Sequence, residues 1–243
     1  MRTVAIIQAR MGSSRLPGKV LELLAGKTAL DHCVERTAAC ASIDEVVVAT
    51  TTEPADGAIV DICRARGWRW FRGSEHDVLD RYHRAALEVG ADHVVRITSD
   101  CPLTDPAVLS ALIARYRDAP DTDYASTSHP RPTFPIGISA EVVRAEVLAA
   151  AWRDDTNPAW REHVTPYVYR HPDRFRIVGL AADADYSHHR WTLDTPEDAR
   201  LLRLILDELA AGKTGWRDAL AVVEAHPGWE GINATIVQRR VPT

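Results

Sequence analysis

The sequence predicts an α/β fold built on a mostly parallel central sheet with flanking helices. Short apolar runs alternate with amphipathic segments of helical length through most of the 243 residues. Helix-stopping glycines stand where the apolar period ends, at Gly67 and Gly90. The composition, 46% hydrophobic and 26% charged, is that of an ordinary globular protein and excludes a disordered chain. The length suits a single domain over 1–243.

Residues 3–8 read as a buried first strand, followed by a polar loop to Lys19 and an amphipathic helix over 28–40. Strand 45–50 comes next, then helix 56–66 and a short strand over 68–71. Helix 78–89, strand 93–98 and a helix opened by Asp105 as cap and Pro106 at its first turn continue the alternation. A short strand covers 123–127. Pro130, Pro132 and Pro135 interrupt the pattern over 129–137, which reads as a loop or lid. Helices are expected over 140–152 and 161–169, and strands over 176–180 and 190–193. Pro196 opens a helix running through Ala210, and a last helix over 216–225 precedes a stop at Pro227-Gly228 and a tail.

The formal net charge is −5 and the basic residues are scattered, so a nucleic-acid partner is not expected. The first apolar run, about half a dozen residues, is too short for a signal-peptide core or a membrane span. No membrane association and a cytoplasmic location are therefore expected. Cys33, Cys40, Cys63 and Cys101 show neither zinc-site pairing nor the density of a disulfide framework and read as reduced core thiols.

The most informative stretch runs from Gln8 to Lys19, QARMGSSRLPGK. It leaves the first strand and carries Arg10, Arg15 and Lys19, the hydroxyls of Ser13 and Ser14, and Gly12 and Gly18. Glycines let backbone N–H groups approach phosphate oxygens, serines add donors, and the cations supply charge. It is not a P-loop: counted from Gly12, Pro17 stands where the second glycine belongs, and Val20 follows the lysine. Without further information, a solvated basic loop is the competing reading.

Arg10, Ser13, Arg15, Pro17 and Lys19 match the Arg-x-x-Ser-x-Arg-x-Pro-x-Lys signature, and on them the chain resembles the CMP-sugar cytidylyltransferases, including the CMP-Kdo and CMP-sialic acid synthetases. The likeness is nearest to the spore-coat polysaccharide branch. It implies a Rossmann-like nucleotidyltransferase fold with a small acceptor-side or dimerisation insertion around 128–188, CTP as the nucleotide, Mg2+ as cofactor, an anionic acceptor and a homodimer. In such a site Ala9, Arg10, Gly12, Ser13, Ser14, Arg15 and Lys19 would hold the nucleotide, with Arg10 and Lys19 acting in catalysis. Arg72, in Arg72-Gly73-Ser74-Glu75, resembles a nucleotide contact of the family, and Arg81 is divided evenly between that role and a helix-surface ion pair.

Asp100 follows strand 93–98 in Arg96-Ile97-Thr98-Ser99-Asp100, where open α/β sheets bind ligands. Taken alone it reads more readily as a turn or cap residue; the resemblance reverses that preference and assigns it to the metal. Asp194 again falls between a strand and a helix. Two carboxylates widely separated in sequence are enough for Mg2+, which completes its shell with phosphate and water. Asp194 also suits a helix cap, and Glu197 and Asp198 read as first-turn residues. Thr98 stands where the Kdo enzymes have a base-reading glutamine, and it is retained among the nucleotide-binding positions.

On the acceptor side, His163 and Tyr167 resemble a His-x-x-x-Tyr element and, four apart, would share one helix face if Pro166 does not kink it. Arg190 is a further acceptor candidate. His188 and His189 read as structural. The rival readings are a nucleotide-sugar glycosyltransferase and a non-catalytic nucleotide-binding protein. The first needs an Asp-x-Asp after a strand, whereas Asp121-Thr122-Asp123 precedes one and Asp183-Ala184-Asp185 lies in a loop.

Overall fold

A computed structural model describes residues 1–209, 213 and 215–238. The elements follow in the order β1 (Thr3–Gln8), β2 (Leu23–Leu24), β3 (Lys27–Thr28), α1 (Ala29–Ala38), β4 (Glu45–Thr51), α2 (Gly57–Arg66), β5 (Arg69–Gly73), α3 (Val78–Val89) and β6 (His93–Thr98). Then come α4 (Pro106–Asp118), β7 (Tyr124–Ser126), β8 (Glu141–Arg144), α5 (Ala145–Asp154), α6 (Pro158–His163), α7 (Pro166–Tyr169), β9 (Ile177–Gly179), α8 (Pro196–Glu208) and α9 (Trp216–Ala225). Gly67 and Gly90 end α2 and α3 in left-handed geometry, as their positions predict.

Seven strands form the central sheet in the order β5-β4-β1-β6-β8-β7-β9. β8 alone runs against the rest, paired antiparallel to both β6 and β7. Alternate residues of each strand feed opposite layers. Val4, Ile6, Val47 and Val94 pack with α3, α5 and α7, whereas Ala5, Ile7, Val48 and Val95 pack with α1, α2 and α4. A third cluster joins α8, α9 and the 134–138 segment through Leu202, Trp216 and Phe134.

From β1 the chain moves outward through β4 and β5, then returns to place β6 on the other side of β1. This reversal leaves a crevice between the carboxyl ends of β1 and β6, the position at which sheets of this kind bind ligands. The segments leaving those two ends are the Gln8 to Lys19 loop and the Asp100 turn.

Several expectations are corrected. Residues 141–144 form strand β8 and not the start of a helix, because Val142 and Val143 are β-branched and each is buried on a different face beside β6. Residues 190–193 form no strand of the sheet; an isolated bridge joins Ile136 to Arg190. A small ribbon, β2 with β3, turns at Ala25-Gly26, both at positive φ. The expected helix over 161–169 is broken at Val164, whose φ of 71° and ψ of −55°, with Thr165 N–H donating to the His163 carbonyl at 2.9 Å, form a rare φ-positive γ-turn. Within residues 128–188, strands β8 and β9 join the central sheet. The Pro-rich segment is irregular, as expected, but not a loose lid: Thr133 and Phe134 are buried, and Ile136 exchanges backbone hydrogen bonds with His189 and Trp191. The expected end of the α8 helix at Ala210 lies outside the described residues.

Candidate active site

The loop after β1 is held by its own backbone and by one carboxylate. Gly18 N–H donates to the Met11 carbonyl at 3.0 Å, closing residues 11–18 on themselves. Gly18 sits at φ 73°, a conformation glycine enters without strain, and the chain then turns into the short 3-10 helix Lys19–Leu21. Ser13 Oγ accepts from Leu16 N–H at 3.3 Å. From the next crossover, the buried Asp56 accepts from Met11 N–H at 2.6 Å and also from Thr51 Oγ1. The sequence offered Asp56 only as the beginning of a helix, so its service to the loop was not legible.

Lys19 Nζ lies 2.8 Å from Asp100 Oδ2 and 2.8 Å from Asp194 Oδ1. Burial opposes the lysine's charge, yet the two carboxylates outweigh it and raise Lys19 above its ordinary range. Burial also opposes ionisation of Asp100, and Lys19 more than compensates, holding that carboxyl below the usual value. On its other oxygen Asp194 meets two guanidinium groups, Arg15 and Arg190, each at 2.9 Å. Arg10 sits at the rim, 3.5 Å from Glu75 and 3.9 Å from Glu162.

These groups surround a cavity of about 210 Å³. Ala9, Arg10, Gly12, Ser13, Ser14, Arg15, Lys19, Thr98, Asp100, Asp194 and His163 all line it, as does Arg81. Gln8, which opens the loop singled out in the sequence, completes the wall with Ser99, Val78 and Glu162, none of them a predicted site residue. Gln8 is the register partner of Thr98 across β1 and β6. Its Oε1 accepts from Arg96 at 3.3 Å, and Arg96 lies 3.2 Å from Glu141. Burial and the Arg96 charge lower the His163 pKa, favouring its neutral imidazole. Arg81 is not a surface ion-pair member: it is 1% exposed, its Nη1 donates to the Ser74 carbonyl at 2.6 Å, and among the described residues its Nε has no partner.

Three expected site residues fall elsewhere. Arg72 is exposed at the end of β5 and braces the β4 turn by donating to the carbonyls of Thr51 and Glu53 at 2.7 and 2.9 Å. Tyr167 is buried beside Phe175, with Arg174 donating to its hydroxyl, because the turn at Val164 sends it away from His163. Arg190 is 6% exposed and donates to both oxygens of Asp198 at 3.0 Å as well as to Asp194. Asn233 closes this cluster, its amide donating to the Arg190 carbonyl at 2.9 Å and to Asp198 at 2.8 Å. The Arg190 guanidinium is therefore engaged by Asp194 and Asp198.

The donor set fits a hard divalent cation. Two carboxylate oxygens from separate elements converge on one point, where a cation, the Lys19 ammonium, already lies between them. A larger open groove, about 740 Å³, lies at the opposite end of the sheet by His93 and Arg144. It has no comparable loop, and its polar groups are engaged with one another, His93 with Tyr116 at 3.0 Å and Arg144 with Glu146 at 3.2 Å.

A parallel sheet with a cationic glycine-serine loop and two carboxylates at its reversal point is the arrangement of a nucleotidyltransferase. The chain belongs to the cytidylyltransferase family, whose model matches residues 4–208. It is 36% identical over 207 residues to the spore coat polysaccharide biosynthesis protein SpsF of Bacillus subtilis, covering 82% of this chain and 84% of that one. An uncharacterised protein of Methanocaldococcus jannaschii is 34% identical over 241 residues, 98% of this chain and 97% of its own. The solved structure of a cytidylyltransferase from Leptospira borgpetersenii superposes with a TM-score of 0.90 at 30% identity, over 99% of this chain and all of that one.

Proposed function

We propose that this enzyme transfers CMP from CTP to a small anionic or polyhydroxylated acceptor, with Mg2+, and releases pyrophosphate. The observation that carries the reading is Lys19, which reaches from the phosphate-type loop to both Asp100 and Asp194. One lysine thus ties a triphosphate cradle to a divalent-cation site. Membership of the cytidylyltransferase family supports CTP as the donor.

In this reading Asp100 and Asp194 hold the Mg2+, which when bound offsets phosphate charge and polarises the α-phosphate. The loop N–H groups, Ser13 and Ser14 cradle the triphosphate, and Arg10, Arg15 and Lys19 stabilise the charge that gathers on the departing pyrophosphate. The acceptor oxygen forms its bond to the α-phosphorus as the bond from that phosphorus to the pyrophosphate oxygen breaks. A ring nitrogen of His163, which lines the same cavity with its pKa lowered by burial, would take the acceptor's proton. Gln8, beside Thr98, offers an amide that can both donate to and accept from a base edge. Arg190 acts as a positioning residue for Asp194. SpsF by its name serves polysaccharide biosynthesis, and we assign this chain to the same class of work, in the cytoplasm and as a homodimer.

The test is pyrophosphate release with Mg2+ for CTP, UTP, ATP and GTP, each against sugar acids, sugar phosphates and phosphonates. CTP with at least one acceptor should give acceptor-dependent pyrophosphate. Consumption of a nucleotide sugar with no pyrophosphate formed would overturn the reading.

A further inference from the structure

Arg190 also lines a second cavity, of about 270 Å³, bounded by residues 188–191, α8, α9 and the segment 230–238. At its edge His188, His189 and Glu230 bring ligand atoms within 4.8 Å of one another. Among the described residues no other three His, Cys, Asp or Glu side chains meet so closely. We propose that these residues form a binding site for a divalent transition metal, best matched to Zn2+, separate from the active-site carboxylates.

The geometry needs little adjustment. His189 Nδ1 is 3.5 Å from Glu230 Oε1. Two ligands of a tetrahedral ion with bonds of about 2.0 Å stand roughly 3.3 Å apart. His189 is already fixed: its side chain is 7% exposed and its ring stacks on Trp191, centroids 5.4 Å apart. Its backbone is pinned too, the N–H donating to the Tyr186 carbonyl at 3.1 Å and the carbonyl accepting from Ile136 at 2.9 Å. His188 and Glu230 are the exposed partners. His188 is exposed with its ring centroid 4.1 Å from that of His189, and Glu230 is 54% exposed, so both can close on an ion without disturbing the core. The adjoining cavity leaves room for a water as fourth ligand.

The donor chemistry separates this site from the first. Imidazole nitrogens select zinc, nickel or copper, whereas the oxygen-only pair Asp100 and Asp194 suits magnesium or manganese. The placement gives the ion a structural task. Glu230 opens the 3-10 turn Glu230–Ile232, and Asn233, the next residue, bonds Arg190 and Asp198. A metal bond to Glu230 ties this carboxyl-terminal segment to the residues immediately before Arg190.

The experiment uses the untagged full chain, stripped with chelator and titrated with Zn2+ by calorimetry in excess Mg2+, with Co2+ as the optical probe of imidazole ligation. The variants are His188→Ala and Glu230→Gln, both at exposed positions, and the double variant Asp100→Asn with Asp194→Asn. One Zn2+ per chain is expected, unchanged in the active-site double variant and weakened at least about tenfold by either His188→Ala or Glu230→Gln. The thermal midpoint should rise with Zn2+ in the wild type and not in those two, whose metal-free midpoints match the parent's. Zinc binding that vanishes with Asp100 and Asp194, or that survives both other variants unchanged, would overturn the proposal.

Discussion

Lys19 is the residue on which the site turns, because its ammonium is the only group that touches both Asp100 and Asp194 among the described ion pairs. Lys19→Ala and Asp100→Asn should each lower kcat/KM at least about a hundredfold, the equivalent of roughly 2.7 kcal/mol of transition-state stabilisation. A loss of only a few-fold, in protein whose thermal midpoint is preserved, would remove these residues from the reaction. Asn233 acts at one remove. Its amide is 4% exposed as part of its residue and satisfies Asp198, which is fully buried. Asn233→Ala leaves that carboxylate short of a donor and should cost about 1–3 kcal/mol in urea unfolding. It should also shift the Mg2+ dependence of the rate, a readout that mere destabilisation would not move; an unshifted metal curve would deny the residue a part in aiming Asp194.

At the scale of elements, glycine at 137 is required by geometry. Its φ is 109°, and a Cβ there would lie 2.4 Å from the Trp191 carbonyl oxygen. Gly137→Ala should destabilise the fold by at least about 2 kcal/mol, read by denaturant unfolding, because strain and backbone overlap act together. A variant as stable as the parent would show the 190–193 segment to be free to shift. The element pattern was largely legible in sequence where local signals agreed. Gly67, Gly90, Asp105 and Pro106 marked their boundaries correctly, and the Gln8 to Lys19 loop singled out by its composition lines the cavity. What failed was decided at a distance. Val142 and Val143 entered the sheet because β6 and β7 flank them, and Val164 took a strained turn because His163 and Tyr167 are drawn to opposite environments, the cavity and the core. Arg72 and Arg81 lie nine residues apart in one motif, and only the packing of α3 against β5 shows that the second, not the first, reaches the cavity.

Across the whole molecule, burial leads the causes that hold five histidines, His32, His83, His93, His163 and His189, below their ordinary value of 6.5. The sign follows from proton counting. Below that value the unfolded chain binds protons that the folded chain refuses, so unfolding is favoured as pH falls. The Lys19 and Asp100 pair works in a wider window. The Asp100 contribution is present above the ordinary aspartate value of 3.8 and lost as pH falls through its lowered native pKa, and that of Lys19 is present below 10.5 and lost as pH rises through its raised one. Thermal midpoints measured from pH 7.5 to 5.5 should therefore decline progressively while the active-site pair stays intact. A flat profile would show that the histidines gain compensating partners. Among the described residues no helix is long and apolar enough to cross a membrane.

The double attachment of Lys19 has a consequence for how ligands arrive. In the proposed site, the carboxylates that would hold a divalent cation are the ones that now neutralise the lysine that would meet the phosphates. Either ligand alone must compete with that pairing, whereas together one takes the lysine while the other takes the carboxylates. Nucleotide and metal should therefore bind with positive cooperativity, each tightening the other by the same factor as linkage requires. Titrating either one in the absence and presence of the other would measure the factor, and equal affinities in both would show that Lys19 leaves the carboxylates without cost.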